Sequence, residues 1–208
     1  MSVSITNKST TELIQEALSQ AISYSDYRVM VNQLALEGKA TGPEQTDALA
    51  NYTMLNDRRM KRFDKTVKFD ETVIEQVQKI DNNVTFLVLT ESWCGDAAPS
   101  LPVMNKIAEL SAKIDFKVVL RDENLDLMNR FLTNGGMSIP KLIIFDSNTK
   151  EVLSDWGPRP KPAAKLVSDH KTEHGTILPE LKEELQQWYN KDKGQTILKE
   201  LLASLPLK

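Results

Sequence analysis

The stretch Thr90-Glu91-Ser92-Trp93-Cys94-Gly95-Asp96-Ala97 joins an apolar segment, residues 84–89, to an amphipathic segment, residues 101–110. A strand, a short loop and a helix are the simplest interpretation of that order. Cys94, the single cysteine of the chain, then lies at or next to a helix N-terminus. Free backbone N–H groups and the positive end of the helix dipole favour a thiolate there. The stretch therefore predicts a reactive cysteine on an α/β framework.

Composition narrows the class of protein. Of the 208 residues, 40% are hydrophobic, which supports a packed core and argues against disorder. The formal net charge of -3 gives no electrostatic reason to expect binding to nucleic acid or to an anionic membrane. No apolar run approaches the ~20 residues of a membrane span, and residues 1–11 lack the apolar core of a secretory signal. We expect a cytoplasmic protein.

Helical patterns flank a central region in which helices and strands alternate. Residues 1–69 read as a helical extension, with a capping box at Ser9, helical spacing up to Ile22, a second helix over residues 27–36 that stops at Gly38, and a further helix capped by Thr41. Residues 70–171 begin with a helix capped by Asp70 and include a short helix over residues 124–133. A hairpin and a last helix over residues 163–170 follow, and this order predicts a mixed sheet. Residues 172–208 form a second helical extension, expected to pack with the first or to make a dimer contact.

Two charged patterns are better explained by solvated surface than by binding. Residues 58–68 contain six Lys and Arg side chains, but acidic residues balance them and no aromatic platform alternates with them. We therefore expect no nucleic-acid partner. His170 and His174 are four residues apart, a spacing that suits two metal ligands on one helix face, but no third ligand accompanies them. We therefore expect no metal site.

Motifs in the central region resemble those of the thioredoxin family. Trp93-Cys94-Gly95 is similar to the first half of the W-C-G-P-C motif, and Pro102 lies where thioredoxins carry the proline that kinks the following helix. Ser138-Ile139-Pro140 before an apolar strand looks like the family's I-P-T, and Gly157 matches a glycine near the active site. The resemblance implies a thioredoxin-like α/β fold, a central mixed sheet flanked by helices, here with added N-terminal and C-terminal helices.

The resemblance also implies a substrate groove around Cys94. Pro140 would be cis and would face Cys94, and the Ile139 backbone would offer an edge to an extended substrate. Arg159, in a proline-rich stretch, could reach a glutathione carboxylate or stabilise the Cys94 thiolate; a surface arginine in a rigid turn is the alternative. The other residues expected in the groove are Trp93, Gly95, Asp96 and Gly157.

Departures from the family pattern bear on the chemistry. Ala97 stands where the resolving cysteine would be, so a mixed disulfide on Cys94 must wait for an external thiol such as glutathione. Asp96 replaces the motif's proline and is expected to raise the pKa of Cys94, because both compete for the same positive field. Val88 replaces a buried aspartate that helps to move protons in thioredoxins.

Cys94 then has three interpretations: a monothiol redox nucleophile, a redox sensor, or a relic in a binding module. We favour monothiol thiol–disulfide activity through Cys94. Its substrate would be a protein or a low-molecular-weight thiol or disulfide, with glutathione as a candidate co-substrate and no other cofactor. The alternative is a catalytically degenerate thioredoxin-fold module that binds a partner.

Overall fold

The computed structural model describes residues 8–206, in which five strands form one mixed sheet with the order β1-β3-β2-β4-β5. β2 pairs with β3 in parallel, and the other three pairings are antiparallel. The predicted mixed sheet is therefore confirmed. The strands are β1 (Ile22–Ser23), β2 (Val84–Thr90), β3 (Ile114–Leu120), β4 (Lys141–Asp146) and β5 (Val152–Trp156).

Helices occupy both ends of the described chain and alternate with its inner strands. Before β2 lie α1 (Thr10–Gln20), α2 (Tyr24–Glu37), α3 (Asp47–Thr66) and α4 (Glu71–Gln78). Between β2 and β4 lie α5 (Ala97–Ala108), a 3-10 turn (Arg121–Glu123) and α6 (Leu125–Met128). After β5 lie α7 (Lys161–His174), α8 (Pro179–Asp192) and α9 (Gln195–Ser204).

The central strand, β2, ends at Thr90, where the cysteine motif begins. Every residue of β2 is buried, because β3 and β4 flank it and helices cover the sheet. α5 packs against β2, β3, α3 and α9. The loop between β2 and α5 therefore starts from a rigid strand and ends at a packed helix, which fixes the backbone around Cys94.

Local capping signals set several helix ends as predicted. Ser9 and Glu12 form the reciprocal capping box of α1. Gly38 ends α2 in the left-handed conformation, with φ 65°. The Asp70 side chain accepts a hydrogen bond from the Val73 N–H and so caps α4.

Three predicted boundaries were wrong. The first helix does not continue to Ile22, because Ile22 and Ser23 pair with β3 as an edge strand. Thr41 does not cap α3; Thr46 does, and the Thr41 hydroxyl instead bonds to Ser92. The predicted helix over residues 124–133 shrinks to α6, which is followed by a tight turn at Gly135.

Part of each predicted extension lies outside the description. Residues 1–7, which include most of the polar N-terminus discussed above, and residues 207–208 are not among the described residues. No helix within residues 8–206 combines the length and the apolar character that crossing a lipid bilayer requires.

Candidate functional site

Cys94 lies in a tight turn directly before α5. Its backbone N–H donates to the Glu91 carbonyl at 3.1 Å, and the Ala97 N–H donates to the Cys94 carbonyl at 3.2 Å. The side chain is 6% exposed, and its thiol donates to the Ile139 carbonyl at 3.2 Å. The thiol is thus directed at the segment that precedes β4.

Burial determines the protonation state of this thiol. It raises the pKa of Cys94 to about 12, and the nearby Asp96 carboxylate acts in the same direction. The backbone N–H groups of Ala97 and Asp96 and the guanidinium of Arg159 lower the pKa, but they do not outweigh burial. The helix terminus therefore acts in the expected direction, yet Cys94 is a protonated thiol at neutral pH in this conformation.

Two loops meet beside Cys94. The Ile139–Pro140 peptide bond is cis. Gly157 has φ 121°, and a Cβ atom built there would lie 2.1 Å from the Pro140 carbonyl oxygen. A side chain at position 157 would therefore displace the segment that accepts the Cys94 hydrogen bond.

Asp96 forms what we call the C-terminal contact, in which Arg159 and Tyr189 bind its carboxylate. Oδ2 accepts from Arg159 Nε at 3.0 Å and from Arg159 Nη2 at 2.5 Å. Oδ1 accepts from the Tyr189 hydroxyl at 2.8 Å. Tyr189 belongs to α8, so this buried carboxylate joins the motif to the C-terminal helices.

Ser92 forms the corresponding N-terminal contact, in which Thr41, Thr53 and Asn56 bind it. Its hydroxyl accepts from the Thr41 N–H at 2.9 Å and shares a hydrogen bond of 2.8 Å with the Thr53 hydroxyl. Its backbone N–H donates to Thr41 Oγ1 at 2.8 Å, and its carbonyl accepts from Asn56 Nδ2 at 2.9 Å. These neutral groups join the motif to α3 and to the loop before it.

Glu91 lies on the same side of the motif as Ser92 and is fully buried. Its Oε1 accepts from the Asp122 N–H at 2.9 Å, whereas its Oε2 has no hydrogen-bond partner among the described residues. Burial raises the pKa of Glu91 above its ordinary value. The carboxyl group therefore favours its neutral form more than an exposed glutamate would.

A cavity of about 480 Å³ opens over the motif, between α3 and α8. Six of the eight predicted site residues line it: Trp93, Cys94, Gly95, Asp96, Ile139 and Arg159. Pro140 and Gly157 do not line it, although the backbones of these two residues lie next to each other. The remaining lining residues were not predicted as site residues: Leu49, Tyr52, Arg59, Val167, Ile177, Leu181, Lys182, Leu185, Gln186 and Tyr189.

The spacing of several of these residues in the sequence indicates that they share a helix face. Leu49, Tyr52 and Arg59 recur at intervals typical of one helix face, and so do Leu181, Leu185 and Tyr189. Spacing shows that residues share a face, but it does not show what that face meets. The two faces come together only because α3 and α8 pack on opposite sides of the motif.

The cationic side chains of the cavity differ in their partners. Arg159 is paired with Asp96, as described above. Arg59 donates to Asn56 Oδ1 at 3.1 Å, and within residues 8–206 no carboxylate forms an ion pair with it. Lys182 donates to the Tyr52 hydroxyl at 2.9 Å and lies over the Tyr52 ring. In the described part of the chain, no cluster of three or more His, Cys, Asp or Glu side chains could bind a metal ion.

Two solved structures share this architecture. A protein of unknown function from Pseudomonas aeruginosa aligns with a TM-score of 0.56 at 18% identity, over 72% of this chain and 83% of its own. An HIV epitope-scaffold aligns with a TM-score of 0.55 at 16% identity, over 88% of this chain and 97% of its own. These likenesses concern the fold alone, and no curated protein matches the sequence.

A family model gives the assignment. The model described as Thioredoxin matches residues 42–173, which is more than half of the chain and includes α3, the motif and most of α7. The match covers the cysteine turn, the loop at Ile139 and the loop at Gly157, the three segments that meet in the structure. The protein therefore belongs to the thioredoxin family, as a member that keeps one of the two motif cysteines.

Proposed function

We propose that the protein carries out thiol–disulfide exchange through Cys94 alone, with an external thiol such as glutathione releasing the product. The observation that carries this proposal is the position of the Cys94 sulfur. Cys94 lines the cavity, and its sulfur lies 3.2 Å from the carbonyl oxygen of Ile139, the residue before Pro140. We expect a disulfide that enters the cavity to reach this sulfur. Cytoplasmic location remains part of the proposal.

The exchange has two steps. Cys94 first loses its proton to solvent, and the thiolate attacks one sulfur of a disulfide R–S–S–R, forming Cys94–S–S–R and releasing RS⁻. An external thiolate R′S⁻ then attacks the R sulfur, forms R–S–S–R′ and returns the Cys94 thiolate, which takes up a proton. Ala97 offers no internal thiol for this second step, so the mixed disulfide persists until an external thiol arrives.

The raised pKa makes the first step slow. Only a very small fraction of Cys94 is thiolate at neutral pH when its pKa is about 12. The N–H groups of Asp96 and Ala97 stabilise the thiolate once it forms. We therefore expect low turnover and a long-lived mixed disulfide, which suits a redox sensor as well as an enzyme.

The test is the pH dependence of Cys94 alkylation in the folded protein, with Cys94→Ser as the blank. Because the pKa lies far above that of a free cysteine, the rate should rise about tenfold per pH unit from about pH 6 to about pH 9 without levelling. Incubation with oxidised glutathione should add one glutathione to the protein, and reduced glutathione should remove it. A native protein that forms no such adduct would overturn the proposal.

A binding module is the second candidate, and the enclosure of the motif favours it. α3 and α8 cover a thiol that is nearly buried and protonated, and the position of the second cysteine is a buried alanine. In this case the cavity binds a ligand and Cys94 performs no chemistry. Cys94→Ser would then retain the full function, whereas it would abolish exchange.

A further inference from the structure

We propose that the cavity over the motif binds a small amphipathic carboxylate, with its carboxylate on Arg59 and its apolar body between α3 and α8. This inference goes beyond thiol–disulfide exchange, because it requires no bond to Cys94. It would stand if Cys94 proved inert, and it would fall if the cavity showed no preference for carboxylates.

The size and lining of the cavity suit the apolar body. Its volume of about 480 Å³ lies within the range of roughly 300–1,000 Å³ that is usual for small-molecule sites. Apolar walls come from both sides: Leu49 on α3, and Leu181 and Leu185 on α8. Trp93 and Ile177 extend this apolar surface, and Ile177 is 39% exposed although it is a large aliphatic residue. A ligand between these helices would remove that surface from water.

The charged side chains that line the cavity favour an anionic ligand. Its lining contains three cationic side chains and a single carboxylate, Asp96, which already binds Arg159. The other two cations, Arg59 and Lys182, have no carboxylate partner within residues 8–206. Unlike charges attract most strongly where water is partly excluded, so an anionic group is the complementary ligand.

Arg59 is the better placed of these two cations. It is half-buried, whereas Lys182 is exposed at the rim. Burial lowers the pKa of Arg59 from its ordinary value, as expected for a guanidinium that has lost water without gaining an acid. A Cβ atom at Gly95 would lie 4.0 Å from Arg59 Nη1, so the guanidinium is close to the motif. Its planar set of donors matches a carboxylate in a bidentate geometry.

The test uses decanoate as the probe and isothermal titration calorimetry of the full chain as the readout. Decanol, without charge, and decyltrimethylammonium, with a positive charge, carry the same apolar body. Each is titrated into the wild type and into Cys94→Ser. We expect decanoate to bind both proteins with one site and similar affinity, at least about tenfold tighter than decanol, and the cation not to bind.

Variants of Arg59 then test whether its guanidinium binds the carboxylate of decanoate. Arg59→Met should weaken decanoate binding by about tenfold or more and remove the preference over decanol. Arg59→Lys should retain part of the preference, because it keeps the charge but not the bidentate geometry. The matched control is Arg58→Met on the exposed face of the same helix, where the guanidinium donates a hydrogen bond to Met54 Sδ at 3.9 Å. It should bind decanoate as the wild type does.

Several outcomes would overturn the inference. Equal affinity for decanoate and decanol in the wild type would show that the cavity recognises apolar surface alone. Equal loss in Arg59→Met and Arg58→Met would remove Arg59 as the recognition group. A chain that self-associates and binds no decanoate would assign the surface to a second copy. Loss of decanoate binding in Cys94→Ser alone would tie the ligand to thiol chemistry and would also overturn the inference. A different result, absence of a glutathione adduct with decanoate binding retained, would refute only the exchange function.

Discussion

The two ends of the chain reach the cysteine motif from opposite sides and by different chemistry. On one side, Thr41, Thr53 and Asn56 bind Ser92 through neutral hydrogen bonds. On the other side, Tyr189 and Arg159 bind the Asp96 carboxylate. Both contacts are buried, and the two residues that receive them, Ser92 and Asp96, lie within two residues of Cys94.

Because of this difference, the N-terminal contact influences the shape of the motif alone, whereas the C-terminal contact also influences the reactivity of Cys94. The N-terminal contact fixes the backbone of the motif without placing a charge beside the thiol. The C-terminal contact also fixes the motif, but its carboxylate raises the pKa of Cys94 while Arg159 lowers it. The packing of α8 on the motif therefore affects the reactivity of Cys94. The packing of α3 at Ser92 affects only the backbone geometry of the motif. Three substitutions test this distinction.

Asp96→Ala should have the largest effect. It leaves Arg159 and the buried Tyr189 hydroxyl without their carboxylate, so we expect unfolding to become easier by about 3 kcal/mol. Removing the negative charge should also lower the pKa of Cys94, so alkylation at a fixed pH should become faster. Urea denaturation and the alkylation rate measure the two effects.

The control for this variant is Asp169→Ala, which removes the carboxylate of an exposed pair with Lys165. An exposed pair of this kind contributes roughly 0–1 kcal/mol, so little change is expected. If Asp96→Ala destabilised the protein but left the alkylation rate unchanged, the proposed coupling between the C-terminal contact and the thiol would be incorrect.

Ser92→Ala should have an intermediate effect on stability and a different signature. It leaves the buried Thr41 N–H and Thr53 hydroxyl without a partner, which should cost about 2 kcal/mol in urea denaturation. The pH dependence of Cys94 alkylation should not shift, since no charge is removed. Ser168→Ala on the exposed side of α7 is the control, and a shifted alkylation profile in Ser92→Ala would refute the distinction drawn above.

Glu91→Gln should have the smallest effect and the opposite sign. Burial raises the pKa of Glu91 in the folded protein, so the folded state holds the proton more tightly than the unfolded state. Stability is therefore lost as pH rises from the unfolded carboxyl value of about 4.3 through the folded pKa. Glutamine avoids this loss, so we expect the free energy of unfolding at neutral pH to increase.

This gain should shrink towards zero below about pH 4, where Glu91 is protonated in both states. Urea denaturation across that pH range measures it, with Glu184→Gln on the exposed face of α8 as the control. A gain that stayed constant with pH would show that the buried charge is not its cause. A confirmed gain would show that the fold tolerates loss of the Glu91 carboxyl charge, whereas we expect loss of the Asp96 carboxylate to destabilise it.

The sequence predicted the parts of the fold that depend on neighbours along the chain. The apolar run of β2, the capping box at Ser9 and the glycine stop at Gly38 are local signals, and all three were confirmed. Thr41 shows the limit: its sequence context is that of a helix cap, but a hydrogen bond to Ser92, 51 residues away, determines its place. Local patterns cannot weigh such a distant partner.

The same limit applies to the site. Six predicted residues line the cavity because they belong to the motif, to the segment before β4, or to the loop after β5. The spacing of Arg59 and Tyr189 indicates the helix face on which each lies, but it does not indicate that the two faces reach the motif, which is distant from both residues in sequence. The boundaries of the predicted domains, residues 1–69, 70–171 and 172–208, stay a prediction.

The C-terminal contact can form only late in synthesis of the chain, because α8 follows the motif in sequence. A ribosome releases Cys94 well before α8, so the nascent chain presents the motif while one wall of its cavity does not yet exist. Until Tyr189 reaches Asp96, oxidants and small thiols in the surroundings have freer access to the sulfur. We expect Cys94 to react faster on newly made chains than on mature ones, which pulse labelling followed by thiol trapping would show.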